Sequence, residues 1–126
     1  MQMLAGFSDQ LQELLLKTTL DNNALESQAE TSKLYELWCS GDEAALTQMI
    51  AEDVPELTQE EKLLYEELVK AMYTDRNAAM LDVAKGYLSG GDTVFYAVGL
   101  AHLLAEDGLV NTLRDAGYTV EPVSYD

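Results

Sequence analysis

The sequence is poor in cysteine, in basic residues and in long apolar runs, and each shortage excludes a class of protein. A single cysteine, Cys39, excludes an internal disulfide and a multi-cysteine zinc site, and its apolar surroundings predict a buried core thiol. Seven basic against 23 acidic residues give a net charge of −16, which repels phosphate groups, so we expect no nucleic-acid partner. No run reaches the roughly 18 apolar residues of a membrane span, so none is expected.

What the sequence does have is a hydrophobic fraction of 48% over 126 residues, which is enough for one domain with a modest core. Residues 1–73 show the apolar spacing of amphipathic helices. Asp42 is a good N-cap, Thr58 and Glu61 form a capping box, and the first helix has no convincing start signal. The predicted helices span residues 3–20, 24–39, 43–51, 59–73 and 75–88.

Residues 74–126 are expected to continue as a helix-strand-helix-strand part. Thr93–Val98 is apolar without alternation, which is typical of a short strand buried on both faces. The helical pattern after His102 ends at Gly117, and residues 118–123 alternate like a last strand with Pro122 at a sheet edge. The sequence therefore predicts an α+β fold in which four or five helices outweigh a small sheet.

The two predicted strands leave N–H and C=O groups unpaired at the edges of residues 93–98, and an apolar strand with such edges pairs readily with another chain. Helices of this chain, a missing amino-terminal half of the domain, or a second copy must cover it. We expect a homodimer through this strand.

The histidine at position 102 is the only one in the chain, and it follows Gly99 at the predicted carboxyl end of the strand, where open α/β sheets bind ligands. Gly99 is expected to let the backbone turn sharply enough to aim the imidazole. One neutral ring nitrogen can bind a metal while a partner holds the other. The alternative is that His102 makes only a structural hydrogen bond.

Four charged or polar residues flank this motif, and each has two interpretations. Glu106 and Asp107 can add a carboxylate to a metal site, or can lie in the first turn of a helix, where negative charge suits the macrodipole; the second is preferred. Arg76 and Asn77 can bind a substrate carboxylate, or Arg76 can form a salt bridge with a local acid, which is slightly favoured.

Three stretches resemble the carboxyl end of the TraB/GumN family, which is similar to the Tiki-type metalloproteases. They are RNAAM at 76–80, GLAH at 99–102 and LLAEDGLVNTLRDAGYTVEPV at 103–123. By this resemblance, residues 1–126 are the second half of a family domain whose first half carries another Gly-x-x-His motif and a glutamate. One departure is Ala105, where the family commonly has glycine.

The resemblance implies a metal-dependent hydrolase or peptidase site in the complete domain, with a divalent ion such as manganese, cobalt or zinc and a peptide substrate. His102 is then the metal ligand, and Arg76, Asn77, Gly99 and Glu106 are substrate-binding or structural motif residues. This chain alone is expected to be inactive and to bind no metal tightly. The alternative is a non-catalytic binding or regulatory domain related to bacterial proteins that shut down peptide-pheromone signalling.

Overall fold

A computed structural model describes residues 6–21, 24–52 and 55–123, and every regular element in these ranges is helical. The helices are α1 (Asp9–Asp21), α2 (Ala24–Ser40), α3 (Glu43–Glu52), α4 (Gln59–Val69), α5 (Asp75–Gly90), α6 (Leu100–Leu104) and α7 (Leu109–Asp115). A π-helical turn, Lys70–Thr74, joins α4 directly to α5. No helix among the described residues is both long and apolar enough to cross a bilayer. The predicted α+β class is wrong, because no strand or sheet forms in this part of the chain.

The helix starts are set by local polar side chains. Thr58 and Glu61 make the predicted capping box of α4. The Thr58 hydroxyl accepts a hydrogen bond from the backbone N–H of Glu61, and the Glu61 carboxylate accepts one from the backbone N–H of Thr58. Asp42 caps α3 as predicted, with 3.0 Å from its carboxylate to the backbone nitrogen three residues on. The backbone N–H of Leu11 donates to the Ser8 hydroxyl at 3.2 Å, so α1 does have an N-cap and the predicted lack of a start signal is wrong.

Neither predicted strand forms among the described residues, because neither segment has a partner strand there. Within these ranges, no backbone–backbone hydrogen bond involves residues 93–98, and the chain there has no regular secondary structure. Val94 and Val120 instead line one cavity of about 240 Å³. Residues 118–123 are held by Arg114, whose Nε and Nη2 donate to the Val120 carbonyl at 3.3 and 3.2 Å. Side-chain packing and one arginine thus replace the predicted ladder.

Two hydrophobic clusters form the core. The first cluster contains Leu11 and Leu14 of α1 and Leu68 of α4. The second cluster contains Leu46 of α3, Leu104 of α6 and Val110 of α7, with further apolar side chains packed against them. Each cluster joins helices that are distant in sequence, and the second lies under the carboxyl-terminal helices.

Helix α2 contributes one narrow stripe to this core. Leu34 and Leu37 pack against the second cluster, whereas Trp38 is 61% exposed. Cys39 is also exposed, so the predicted core thiol is wrong. The reason for Cys39 is angular: successive residues on a helix differ by about 100°, so Cys39 lies roughly 140° around the axis from Leu34. Trp38 lies only about 40° from Leu34, so its exposure shows that the packed stripe itself is narrow.

Candidate functional site

His102 lies inside the short helix α6 with 8% of its surface exposed, rather than just past a strand. Gly99 is the N-cap of α6 with φ −63° and ψ 150°, a conformation that any residue adopts, so the expected need for a glycine turn is wrong. A methyl group at Gly99 would lie 3.6 Å from Cδ2 of the His102 ring. Gly99 therefore leaves space beside the ring edge that carries Nε2.

A chain of hydrogen bonds joins His102 to two other residues. Nδ1 of His102 lies 2.7 Å from Oδ1 of Asn77, and Nδ2 of Asn77 donates to Oδ1 of Asp107 at 2.8 Å. Asn77 is only 3% exposed. The three residues come from α6, from α5 and from the turn between α6 and α7, so the fold assembles the chain from separate elements. Among the described residues, Nε2 of His102 has no hydrogen-bond partner.

The environment favours a neutral imidazole. Burial is the main factor that lowers the pKa of His102 below its ordinary value of 6.5, and the positive charge of Arg76 lowers it further. The carboxylate of Asp107 opposes both effects. A neutral ring with one unoccupied nitrogen is the form of histidine that binds a metal.

The π turn aims the Asn77 side of α5 at this ring. The backbone N–H of Asp75 donates to the carbonyl of Lys70, five residues back, so the helical run from α4 to α5 gains one residue in this turn. Leu68, before the turn, packs in the first cluster. Tyr73 lies within the turn, with its ring centroid 5.4 Å from that of His102 and the two ring planes at 41°, and Asn77, after the turn, reaches Nδ1. Neither the π turn nor Tyr73 had a signal in the sequence analysis.

Arg76 and Asn77 are adjacent in sequence and have different environments. Asn77 is buried, whereas Arg76 is exposed and its Nη1 reaches only the Met72 carbonyl, at 3.5 Å. Asp75, the nearest acid in sequence, is paired with Lys70 at 2.7 Å. Among the described residues Arg76 makes no ion pair, so the slightly favoured salt bridge is not found there.

The turn between α6 and α7 brings Asp107 to Asn77. Gly108 makes this turn possible, because a methyl group there would lie 2.7 and 2.8 Å from the carbonyl oxygens of Leu103 and Ala105. The methyl group of Ala105 itself introduces no backbone strain, since its φ is −57°. Only glycine at position 108 allows the chain to pass so close to α6.

The two acids of this turn have separate surroundings. Both precede α7, which begins at Leu109, so neither lies in the first helical turn as preferred from the sequence. Asp107 is half-buried against Asn77, and Glu106 is exposed. Asp107 thus acts on the imidazole through an amide rather than beside it. The sequence offered it as a metal carboxylate, and no feature of the pattern pointed to this indirect contact.

The donor set of the described residues amounts to one imidazole nitrogen. They contain no group of three or more His, Cys, Asp or Glu side chains that is arranged to hold a metal ion. Nε2 of His102 fits the role of a single ligand, since burial favours the neutral ring, Asn77 orients it, and no described residue hydrogen-bonds to this nitrogen.

Comparison with known proteins identifies the family. Neither the curated proteins nor the solved structures give a match to this chain. The model of the TraB/PrgY/gumN family matches residues 1–122, a range that includes Arg76, Asn77 and the GLAH motif. Because this range covers nearly the whole chain, the protein belongs to the TraB/PrgY/gumN family.

Proposed function

We propose that this chain contributes the ligand His102 to the site of a metal-dependent, peptidase-like hydrolase. The observation that carries the proposal is the buried imidazole held at Nδ1 by Asn77 at 2.7 Å, with Nε2 unpartnered among the described residues. Metal-binding histidines commonly have their second nitrogen held in this way. The remaining ligands come from outside the described residues, in keeping with the resemblance, which places a second Gly-x-x-His motif elsewhere in the domain.

A divalent ion held there would activate a water molecule as the nucleophile, as manganese, cobalt and zinc do in hydrolases. The residues of this chain orient and shape the site. Asn77 fixes the imidazole, Gly99 leaves space beside Cδ2, and the burial of His102 keeps the ring neutral. We assign the guanidinium of Arg76 to a carboxylate of the peptide substrate, and its exposure and its positive charge near His102 support this assignment.

The test is a calorimetric titration with zinc, cobalt and manganese of the wild-type chain and of His102→Ala. One ligand gives weak binding, so we expect a weak heat that the variant loses. Asp115→Asn is the matched control, because it removes an exposed negative charge at the end of α7 and leaves the ring untouched. With 23 acidic residues, the chain also has general affinity for cations, which both variants keep.

Identical isotherms for wild type and His102→Ala would contradict the metal-ligand role. They would favour the alternative, a binding or regulatory domain without metal chemistry. Peptide hydrolysis by this chain alone is not expected, because one ligand does not complete a catalytic metal site.

We also propose that residues 93–98 mediate self-association between two copies of the chain. Phe95 is 95% exposed, and residues 93–98 make no backbone–backbone hydrogen bond in the part of the chain that the structure describes. An exposed aromatic ring beside unpaired N–H and C=O groups favours association. A second copy presents the same surface, so in a two-fold arrangement residues 93–98 of each copy cover the exposed ring and pair the backbone groups of the other.

Sedimentation velocity over a range of concentrations tests this association. We expect dimerisation of the wild type and its loss in Phe95→Ser. Leu63→Ser is the matched control, because Leu63 is a large apolar side chain on α4 that is 69% exposed. A wild-type chain that stays monomeric, or equal weakening by both variants, would contradict the role of residues 93–98.

A further inference from the structure

We propose that Asp107, acting through the amide of Asn77, fixes His102 in the tautomer that carries its proton on Nδ1. Nε2 then has its lone pair exposed. The consequence for metal binding rests on the proposed function, but the tautomer itself does not. Asp107 is a positioning residue here, because it touches Asn77 and not the imidazole.

The argument starts from the two different ends of an asparagine side chain. The amide nitrogen only donates hydrogen bonds, and the carbonyl oxygen only accepts them. An ionised carboxylate is also only an acceptor. At 2.8 Å from Asp107, Asn77 must therefore present its NH₂ group, because the flipped amide would bring two oxygens into contact.

The orientation of the amide then decides the proton position on the ring. With NH₂ facing Asp107, the oxygen of Asn77 faces Nδ1 of His102 at 2.7 Å. An oxygen acceptor at that distance requires a donor, so Nδ1 carries the hydrogen. The neutral ring has one hydrogen for its two nitrogens, so Nε2 has none.

Burial leaves the His102–Asn77 hydrogen bond with little competition from water. Asn77 is 3% and His102 8% exposed, so water is largely excluded from the contact between them. In water a neutral histidine side chain prefers the proton on Nε2, which is the form that cannot bind a metal through that nitrogen. The hydrogen-bond chain therefore reverses the preference of the free side chain.

The test uses the fact that His102 is the only histidine. A nitrogen–proton long-range correlation NMR spectrum of the ¹⁵N-labelled, metal-free chain reports the protonation of each ring nitrogen without assignment ambiguity. It is recorded near pH 8.5, roughly two units above the ordinary histidine pKa of about 6.5. We expect Nδ1 at the shift of a protonated nitrogen and Nε2 at that of an unprotonated one.

Three variants isolate Asp107. Asp107→Asn offers a donor as well as an acceptor in place of an obligate acceptor. The Asn77 amide can then take either orientation, and we expect the Nε2-protonated form, which a free histidine prefers, to become the major one. Glu106→Gln removes the same charge from the neighbouring exposed residue and should keep the wild-type pattern. The double variant Asn77→Asp with Asp107→Asn exchanges amide and carboxylate, and should restore protonation at Nδ1.

The outcomes separate cleanly. Protonation at Nε2 in the wild type would overturn the proposal, whatever the variants do. A wild-type pattern in Asp107→Asn would remove the role of Asp107. If Asp107→Asn fails to fold by circular dichroism, the wild-type spectrum still decides the tautomer, and Asp107→Ala, which removes the acceptor, takes its place as the test of Asp107. A failed metal titration would leave these spectra unchanged, so the two proposals can fail separately.

Discussion

The two hydrophobic clusters are built from the same kind of side chain and are coupled to different polar groups. In the first cluster, Leu11 of α1 packs with Leu68 of α4. In the second, Leu46, Leu104 and Val110 join α3, α6 and α7. The second cluster includes the helix that carries the imidazole, since Leu104 lies two residues beyond His102 in α6.

The polar contacts beside the clusters differ in burial. The first cluster is flanked by the ion pair of Lys17 with Glu61, 2.7 Å long, in which the lysine side chain is 59% exposed. The second lies next to the hydrogen-bond chain of His102, Asn77 and Asp107, of which His102 and Asn77 are buried. An exposed pair adjusts to small shifts, whereas a buried chain has no water to replace a lost partner. A packing defect should therefore reach the site only from the second cluster.

Truncating one leucine in each cluster is the strongest way to break this comparison. Leu11→Ala and Leu104→Ala should each lower the free energy of unfolding by about 2–4 kcal/mol, because each removes buried methyl groups and leaves a cavity. Urea denaturation measures both losses. The ring-nitrogen spectrum should change in Leu104→Ala alone. Unchanged His102 signals in that variant would mean that the two clusters are equally remote from the site.

Adding one methyl group to a glycine gives a smaller and more local contrast. Gly108→Ala should destabilise by about 1–3 kcal/mol, because the carbonyl oxygens of Leu103 and Ala105 at 2.7 and 2.8 Å are backbone atoms that cannot rotate away. It should also displace Asp107 and disturb the imidazole. Gly86→Ala, inside α5 with no atom within 4 Å, should stabilise by about 0.4–1 kcal/mol. Thermal unfolding distinguishes the two, and equal effects would show that the α6–α7 turn is adaptable.

The sequence predicted the helices between residues 24 and 90 well, because their start and stop signals are local. The first helix, predicted from residue 3, begins at Asp9, and residues 3–5 lie outside the described residues. Thr58 and Glu61 stand three residues apart and cap α4 as expected. Gly117, with φ 88°, ends α7, and the N–H groups of Gly117 and Tyr118 bond back to α7 carbonyls. Such signals involve only neighbouring residues, so tertiary contacts do not alter them.

The strand at residues 93–98 was wrongly predicted for the opposite reason. A run of Val, Phe and Tyr reports that side chains are apolar, and it does not say whether a backbone partner exists. In the described part of the chain that partner is absent, and Phe95 remains 95% exposed. Strand formation is a property of two segments, so one segment cannot predict it.

The site was predictable only in part. The sequence and the family resemblance singled out His102 and Asn77, which the structure brings into contact. The role of Asp107 needed geometry, because its partner Asn77 is 30 residues away and lies on a helix redirected by a π turn.

The smallest predicted effect concerns pH and the first cluster alone. Hydrogen bonds lower the pKa of Glu61 from 4.5 to about 2. The bond from the Lys17 ammonium has the largest effect, and the bonds from the backbone N–H and the hydroxyl of Thr58 add to it. Because the folded pKa is the lower one, this contribution to stability is present above pH 4.5 and is lost as the pH falls towards 2. Glu61→Gln removes it and keeps an oxygen that can accept from the Thr58 N–H.

Urea midpoints of wild type and Glu61→Gln should therefore differ most at pH 7, and the difference should shrink as the pH falls from 4.5 towards 2. The difference should shrink in high salt, since the pair is exposed and screened. The ring-nitrogen pattern of His102 should be the same in both proteins at pH 8.5, roughly two units above the ordinary histidine pKa of about 6.5. A gap between the midpoints that stays constant down to pH 3 would mean that Glu61 acts through the cap geometry and not through its charge. A changed His102 pattern would mean that the first cluster, too, is coupled to the site.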